Sequence, residues 1–178
     1  MKYKNVDFEA IIATPCCGKS YLCDKYPNKF VDLDEVRLRL KYNVPNNITR
    51  LELEQTKGER PFQKRMHEKE YIKVLYDLMD SFRAEGKILI AAPHPEFYNY
   101  FLERNIKFCL VYAGANMREE ILKRYISRGN PKNTYETYDK MFDEFIVGNE
   151  LDTRPTVKYA FGKGEYLEQI LKKFGCEF

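Results

Sequence analysis

The chain has 178 residues, a net charge of +3, and 44% hydrophobic and 32% charged residues. That length suits one domain burying roughly 70% of its unfolded surface, with no need of a disulfide or metal staple, and the charge is too small to argue for nucleic-acid binding by itself. No apolar run approaches the roughly 20 residues of a membrane span, residues 1–7 lack the apolar core of a signal peptide, and the cysteines Cys16, Cys17, Cys23, Cys109 and Cys176 form no CxxC pair and read as reduced thiols, so a cytoplasmic protein is expected.

In chain order, residues 9–13 (EAIIA) predict a short buried strand running into a turn at Thr14-Pro15. Residues 18–26 predict a helix, and 29–34 (KFVDLD) a second strand with acidic residues at its C-terminal end. The Asn- and Pro-bearing stretch 43–47 follows, with short helical pieces on either side. Residues 61–84 predict a long helix, because Tyr71, Val74, Leu75, Leu78, Met79 and Phe82 recur at three and four residues. Pro61 suits its first turn and Gly86 its end. Residues 87–92 (KILIAA) predict the third strand, ended by Pro93-His94-Pro95, and 106–112 (IKFCLVY) the fourth. Then come a helix over 117–128, a loop over 129–133, a helix over 135–147, a fifth strand over 156–161 and a closing helix over 164–174. Near-continuously apolar strands alternating with helices argue for a parallel sheet covered on both faces.

The strongest signal is Ala13-Thr14-Pro15-Cys16-Cys17-Gly18-Lys19-Ser20, which fits GxxxxGK[ST] with Ala13 in place of the first Gly. Between a strand and a helix, such a loop turns its backbone N–H groups toward phosphate oxygens, and the helix N-terminus adds partial positive charge. Ala13 is tolerable where that position needs no positive φ. In this pattern Lys19 neutralises the β- and γ-phosphates of a nucleoside triphosphate, and Ser20 ligates Mg²⁺. The nucleotide-binding set is Thr14, Pro15, Cys16, Cys17, Gly18, Lys19, Ser20 and Tyr21. A helix N-terminus lowers a thiol pKa, so Cys16 or Cys17 is either oxidation-sensitive or simply a small loop residue.

Asp32 and Asp34, two apart on the predicted second strand, would share one face. Strand C-termini line the ligand crevice of such a sheet. Asp32 is then a candidate for holding Mg²⁺ through water. Asp34 either contacts the acceptor, serves as a base toward a hydroxyl, or caps a helix. Arg37, about one helical turn on, is placed to clamp an acceptor phosphate. The third strand ends without a carboxylate, which strengthens the case for Asp32 or Asp34 on the metal side. His94, in the turn after it, either touches the acceptor or is a turn histidine with no role. Arg124 and Arg128 stand four apart on one helix, with Arg118 earlier. Like charges at that spacing repel unless an anion lies between them. A lid bringing these arginines onto the transferring phosphoryl group would stabilise charge and exclude water. The alternative is a solvated helix in which Glu119 and Glu120 balance the arginines.

The segments TPCCGKSYL, VDLDEVR, ILIAAPHPEF, FCLVYAGANMREEILKRYISRGN and GEYLEQIL resemble the P-loop nucleoside monophosphate kinase group. They look most like its small phage- or prophage-encoded nucleotide or adenylate kinase-like members. The resemblance implies a single three-layer α/β domain of the P-loop NTPase type, with a parallel five-stranded sheet in order 2-3-1-4-5. It implies an acceptor-binding flap over 44–73, with Arg60 and Arg65 toward the acceptor phosphate, and a lid over 117–133. Triphosphate binding falls to Gly18, Lys19 and Ser20, acceptor contact to Asp34 and Arg37, and lid arginines to Arg124 and Arg128. The adenylate-kinase Asp-Gly-Phe-Pro-Arg after the third strand is absent, which leaves the acceptor open.

The leading expectation is ATP- and Mg²⁺-dependent phosphoryl transfer to a nucleoside, or deoxynucleoside, monophosphate. Catalysis would rest on Lys19, Asp34, Arg124 and Arg128. A first alternative is a kinase for a hydroxyl acceptor, such as a nucleoside, a small metabolite or a polynucleotide 5′ end, with Asp34 as base. A second is a non-catalytic nucleotide-binding regulator. The expected partner is a small nucleotide; no membrane is expected, nucleic acid enters only as a 5′-end acceptor, and the chain is a monomer or homodimer.

Overall fold

The computed structural model describes residues 2–3, 6–42, 44, 48–49, 52 and 68–178. Two short strands, β1 (Lys2–Tyr3) and β2 (Val6–Asp7), pair antiparallel. The main sheet contains β3 (Ala10–Ala13), β4 (Phe30–Asp32), β5 (Ile88–Ala91), β6 (Phe108–Ala113) and β7 (Val157–Phe161). Their lateral order is β4-β5-β3-β6-β7, and every neighbouring pair is parallel. Counted along the chain, these five strands run 2-3-1-4-5, the order expected.

Seven helices flank the sheet among the described residues: α1 (Lys19–Lys25), α2 (Leu33–Lys41), α3 (Glu68–Ala84), α4 (Pro95–Glu103), α5 (Arg118–Ser127), α6 (Lys132–Leu151) and α7 (Leu167–Lys173). Alternation along β3 explains the layering. Ile11 and Ala13 join a core with Leu22, Ile121, Phe142 and Ile170, contributed by α1, α5, α6 and α7. Ala10 and Ile12 join the opposite core with Leu75, Met79, Phe97 and Phe101, contributed by α3 and α4. Both sheet faces are therefore covered, which is why the inner strands β3, β5 and β6 read as unbroken apolar runs, while the edge strand β7 alternates.

Several element bounds depart from expectation for identifiable reasons. The second strand stops at Asp32, whose side chain accepts from the Asp34 and Glu35 amides and so starts α2. Helix α4 had no counterpart in the sequence reading. It starts with Pro95 in its first turn and buries Phe97, Tyr98, Tyr100 and Phe101. Helix α6 begins at Lys132 and runs to Leu151, longer than 135–147. The closing helix begins at Leu167, because a turn precedes it in which Gly162 N donates to Glu165 Oε2 at 2.6 Å. The long helix is described from Glu68 onward; residues 61–67 and most of the expected flap, including Arg60, Arg65 and His67, lie outside the described residues. Among the described residues, no helix is long and apolar enough to cross a membrane.

Candidate functional site

Parallel strands place their C-terminal ends together, and the loops after β3, β4 and β5 meet there. The loop from β3 to α1 is tightly bent: Cys16 has φ 62° and Gly18 φ 93°. Its carbonyls are tied outward. Arg124 Nη1 donates to Cys16 O at 3.1 Å, and Leu167 N donates to Cys17 O at 2.8 Å. A trans peptide points its N–H opposite to its C=O. Anchoring those two carbonyls therefore turns the Cys17 and Gly18 N–H groups away from the anchors. Among the described residues, neither of these groups donates to a main-chain carbonyl.

Lys19 folds back over this loop. Its Nζ donates to Ala13 O at 2.8 Å and Thr14 O at 3.3 Å, and stands 3.6 Å from Asp34 Oδ2. Burial alone would lower its pKa, but the Asp34 carboxylate and smaller contributions from Cys17 and Asp32 outweigh it, and the net shift is upward. The ammonium is held charged while 9% exposed.

Ser20 Oγ donates to Asp32 Oδ2 at 3.0 Å, while Asp32 Oδ1 accepts from Asp34 N at 3.0 Å and Glu35 N at 3.4 Å. The expectation that Asp32 and Asp34 share a strand face is corrected. Asp32 ends the strand and caps α2, whereas Asp34 lies in the first turn of α2. The cap is thus Asp32 and not Asp34. Asp34 Oδ1 instead accepts from Ala92 N at 2.9 Å, so this one carboxylate links the end of β5 to Lys19. The two residues expected on the metal side, Ser20 and Asp32, are adjacent. A hydroxyl beside a carboxylate fits Mg²⁺, which takes one or two protein oxygens and completes its shell with phosphates and water. Among the described residues, no cluster of three or more His, Cys, Asp or Glu offers an all-protein metal cage.

The arginines are more constrained than a freely swinging pair. Arg124 is 7% exposed, with Nε on Glu120 Oε1 at 3.0 Å, Nη1 also on Glu165 O at 3.3 Å, and its guanidinium 4.1 Å from the Tyr166 ring centroid. Glu120, one of the two carboxylates expected to balance the arginines, meets its charge on the helix. Its Nη2 is buried with no hydrogen-bond partner. Arg128 Nη1 lies 3.9 Å from Cys16 Sγ. Arg118 turns away toward Asp139 and Asp143 on α6. Burial raises the Cys16 and Cys17 thiol pKa values, against the opposing pull of Arg128 on Cys16 and Lys19 on Cys17. Of the two readings of these thiols, burial favours that of small loop residues, because a protonated, buried thiol is a poor nucleophile.

Arg37, expected toward an acceptor, pairs through Nε with Glu96, which also accepts from Tyr71 Oη at 3.4 Å. Glu96 was missed because α4 was missed; a Pro followed by an acidic residue after a strand was the available helix-start signal. His94 stands at the head of α4, with its pKa lowered by burial first and then by Arg37.

A cavity of about 530 Å³ brings together Pro15, Cys16, Gly18, Lys19, Ser20, Tyr21, Asp32, Asp34, Arg37, His94, Arg124 and Arg128, all singled out from sequence. Cys17 is fully buried beneath the loop. Tyr125, Asn130, Thr134 and Tyr166 also line the cavity and were not among the site residues expected from sequence. Thr14 lines a second, adjoining cavity of about 540 Å³.

No protein-family model matches this chain, and no curated protein matches it. Among solved structures, that of an uncharacterized protein from Eubacterium ventriosum aligns over 94% of this chain and 98% of its own at 14% identity, with a TM-score of 0.47. A likeness of that degree carries no argument about what either protein does.

Proposed function

We propose that the protein is an ATP-dependent phosphotransferase of the P-loop type, acting first of all on a nucleoside monophosphate. The observation that carries this reading is the 13–20 loop: two carbonyls tied outward, N–H groups turned away from those ties, and a charged Lys19 lying across the bend. On nucleotide entry, Lys19 Nζ exchanges Ala13 O and Thr14 O for phosphate oxygens, which are stronger, charged acceptors. Ser20 and Asp32 would hold Mg²⁺, whose charge neutralises the polyphosphate. Arg124 and Arg128 line the cavity and add positive charge at its wall. The acceptor oxygen attacks the terminal phosphorus, and the bond to the bridging oxygen breaks to release ADP. A phosphate acceptor is already nucleophilic and needs no base.

A hydroxyl acceptor is the second reading, favoured by two features. Asp34 lines the cavity and is held in place by Ala92 N, its other oxygen 3.6 Å from Lys19 Nζ, so a fixed carboxylate stands where a base would be needed. Arg37 already meets Glu96, which leaves less unopposed charge for an acceptor phosphate. In that case the hydroxyl proton passes to Asp34 as the new O–P bond forms.

Incubation with ATP, Mg²⁺ and a panel of nucleotides, nucleosides and 5′-hydroxyl oligonucleotides, read by product mass, tests both. Transfer to one class is expected, with a loss of about 100-fold or more in Lys19→Ala, the scale seen when one donor to a developing charge is removed. Asp34→Asn would cut kcat by roughly 10²–10⁴ for a hydroxyl acceptor, and would act mainly on acceptor KM for a monophosphate. Transfer to none of them sinks the kinase reading in favour of a nucleotide-binding module.

A further inference from the structure

The second cavity, about 540 Å³, opens between the loop after β3, the head of α4, helix α6 and the segment following it. It shares Pro15, Ala92, His94, Tyr125 and Thr134 with the first cavity, so the two are adjoining halves of one crevice. Their chemistry differs. The first is charged, with Lys19, Asp34 and Arg128. The second presents the aromatic rings of Tyr98, Tyr138 and Phe145.

Three features define an occupant. Phe145 is 38% exposed, with its ring braced 5.4 Å from that of Tyr138, so a large apolar face is left in the wall. A flat ring laid against it removes both faces from water. The Thr14 hydroxyl is buried with no hydrogen-bond partner although Thr14 lines this cavity. Its oxygen is closed off from the cavity surface, so it reaches a ligand polar atom only when its side chain turns on binding. The ionic balance excludes an anion. Arg154 is consumed by Asp152, with Nε–Oδ1 at 2.8 Å and Nη2–Oδ2 at 2.9 Å, and it stacks 3.8 Å from the Tyr98 ring centroid. Glu144 then adds a further carboxylate, which repels phosphate and attracts N–H donors.

We infer that this cavity takes the planar, uncharged, N–H-bearing ring of the acceptor, of the nucleobase class. The sugar crosses the shared wall at Pro15, His94 and Thr134, and the reacting oxygen lies on the Lys19 and Asp34 side. The direction of the reacting oxygen rests on the proposed kinase activity; the binding of the ring does not. The acceptor body thereby lies against α6.

Saturation-transfer NMR of adenosine, guanosine, cytidine and thymidine with the full chain, in the absence of ATP, tests the ring site. Binding of at least one nucleoside is expected. Phe145→Ala should weaken it about tenfold, in the range of losing one base–aromatic stack, and Thr14→Val should weaken it while keeping bulk. ATP affinity should be unchanged in Phe145→Ala, and Phe145→Leu guards against a folding defect. No nucleoside bound, or binding indifferent to both Phe145 variants, overturns the inference. Nucleoside binding without any phosphoryl transfer leaves this inference standing and removes the kinase; transfer indifferent to Phe145 does the reverse.

Discussion

His94 is where opposing charges meet. Burial lowers its pKa most, Arg37 and Lys19 lower it further, and Asp34 and Glu96 pull it up without prevailing. The imidazole is therefore neutral at pH 7 and able to accept a hydrogen bond from a ligand. Linkage fixes the sign of a stability effect. The unfolded chain takes a proton on this residue near pH 6.5, and the folded chain only at lower pH. Between those two values the unfolded state binds more protons, so stability is complete above about pH 6.5 and is lost as pH falls through the folded pKa. The limiting slope from one such group is about 1.4 kcal/mol per pH unit. Urea unfolding at pH 7.5 and 5.5 should show this loss in the wild type and a smaller one in His94→Asn. Carboxylates with depressed pKa values, such as Glu96, titrate below the lower of these two experimental pH values and leave the comparison clean. An identical pH response in both proteins would mean that His94 is not held neutral.

At the scale of elements, the loop and α1 depend on Gly18. Its φ of 93° lies where a side chain costs about 1–2 kcal/mol, and a Cβ there would meet Tyr166 Cδ1 at 3.4 Å. Gly18→Ala should therefore lower the melting temperature by roughly 2–8 °C, from about 2–4 °C per kcal/mol in a domain of this size. Circular dichroism melts check it, and no change would show that the bend relaxes freely. The place of this loop between β3 and α1 was legible in the sequence because its residues are contiguous and lie between an apolar run and a helix. The strands were legible too: ILIA of β5 and FCLVYA of β6 are apolar throughout because both of their faces are covered. Helix α4 was not. Pro93-His94-Pro95 reads as a turn, and the aromatic run behind it has weak helix propensity, so burial of Phe97, Tyr98, Tyr100 and Phe101 decides its form. Asp32 and Asp34 alternate like strand residues until Asp32 captures two amides and ends the strand. The contacts of Glu96 with Arg37, of Tyr166 with Arg124 and of Thr14 with the second cavity join residues far apart in the chain. No local pattern encodes such meetings.

Across the whole molecule, the 13–20 loop is the point at which distant elements are tied together. It leaves β3, the central strand of the sheet, between β5 and β6. Arg124 of α5 and Leu167 of α7 hold its carbonyls, Asp34 of α2 reaches Lys19, and Ser20 meets Asp32 at the end of β4. A polyphosphate recognised by this loop can therefore be recognised only by the assembled fold, and its binding energy must appear as global stability. At a hundredfold excess over Kd the gain is about 2.7 kcal/mol. For a domain of this size that raises the melting temperature by roughly 5–11 °C. ATP with Mg²⁺ should produce this shift, chelation of Mg²⁺ should reduce it, and Lys19→Ala should abolish it while the protein still unfolds in one cooperative transition. Adenosine without phosphates should not reproduce the Lys19-dependent part, because that part arises from the charged end of the ligand. A shift of equal size in the wild type and Lys19→Ala would place the nucleotide elsewhere on the protein and remove the basis for phosphoryl transfer at this loop.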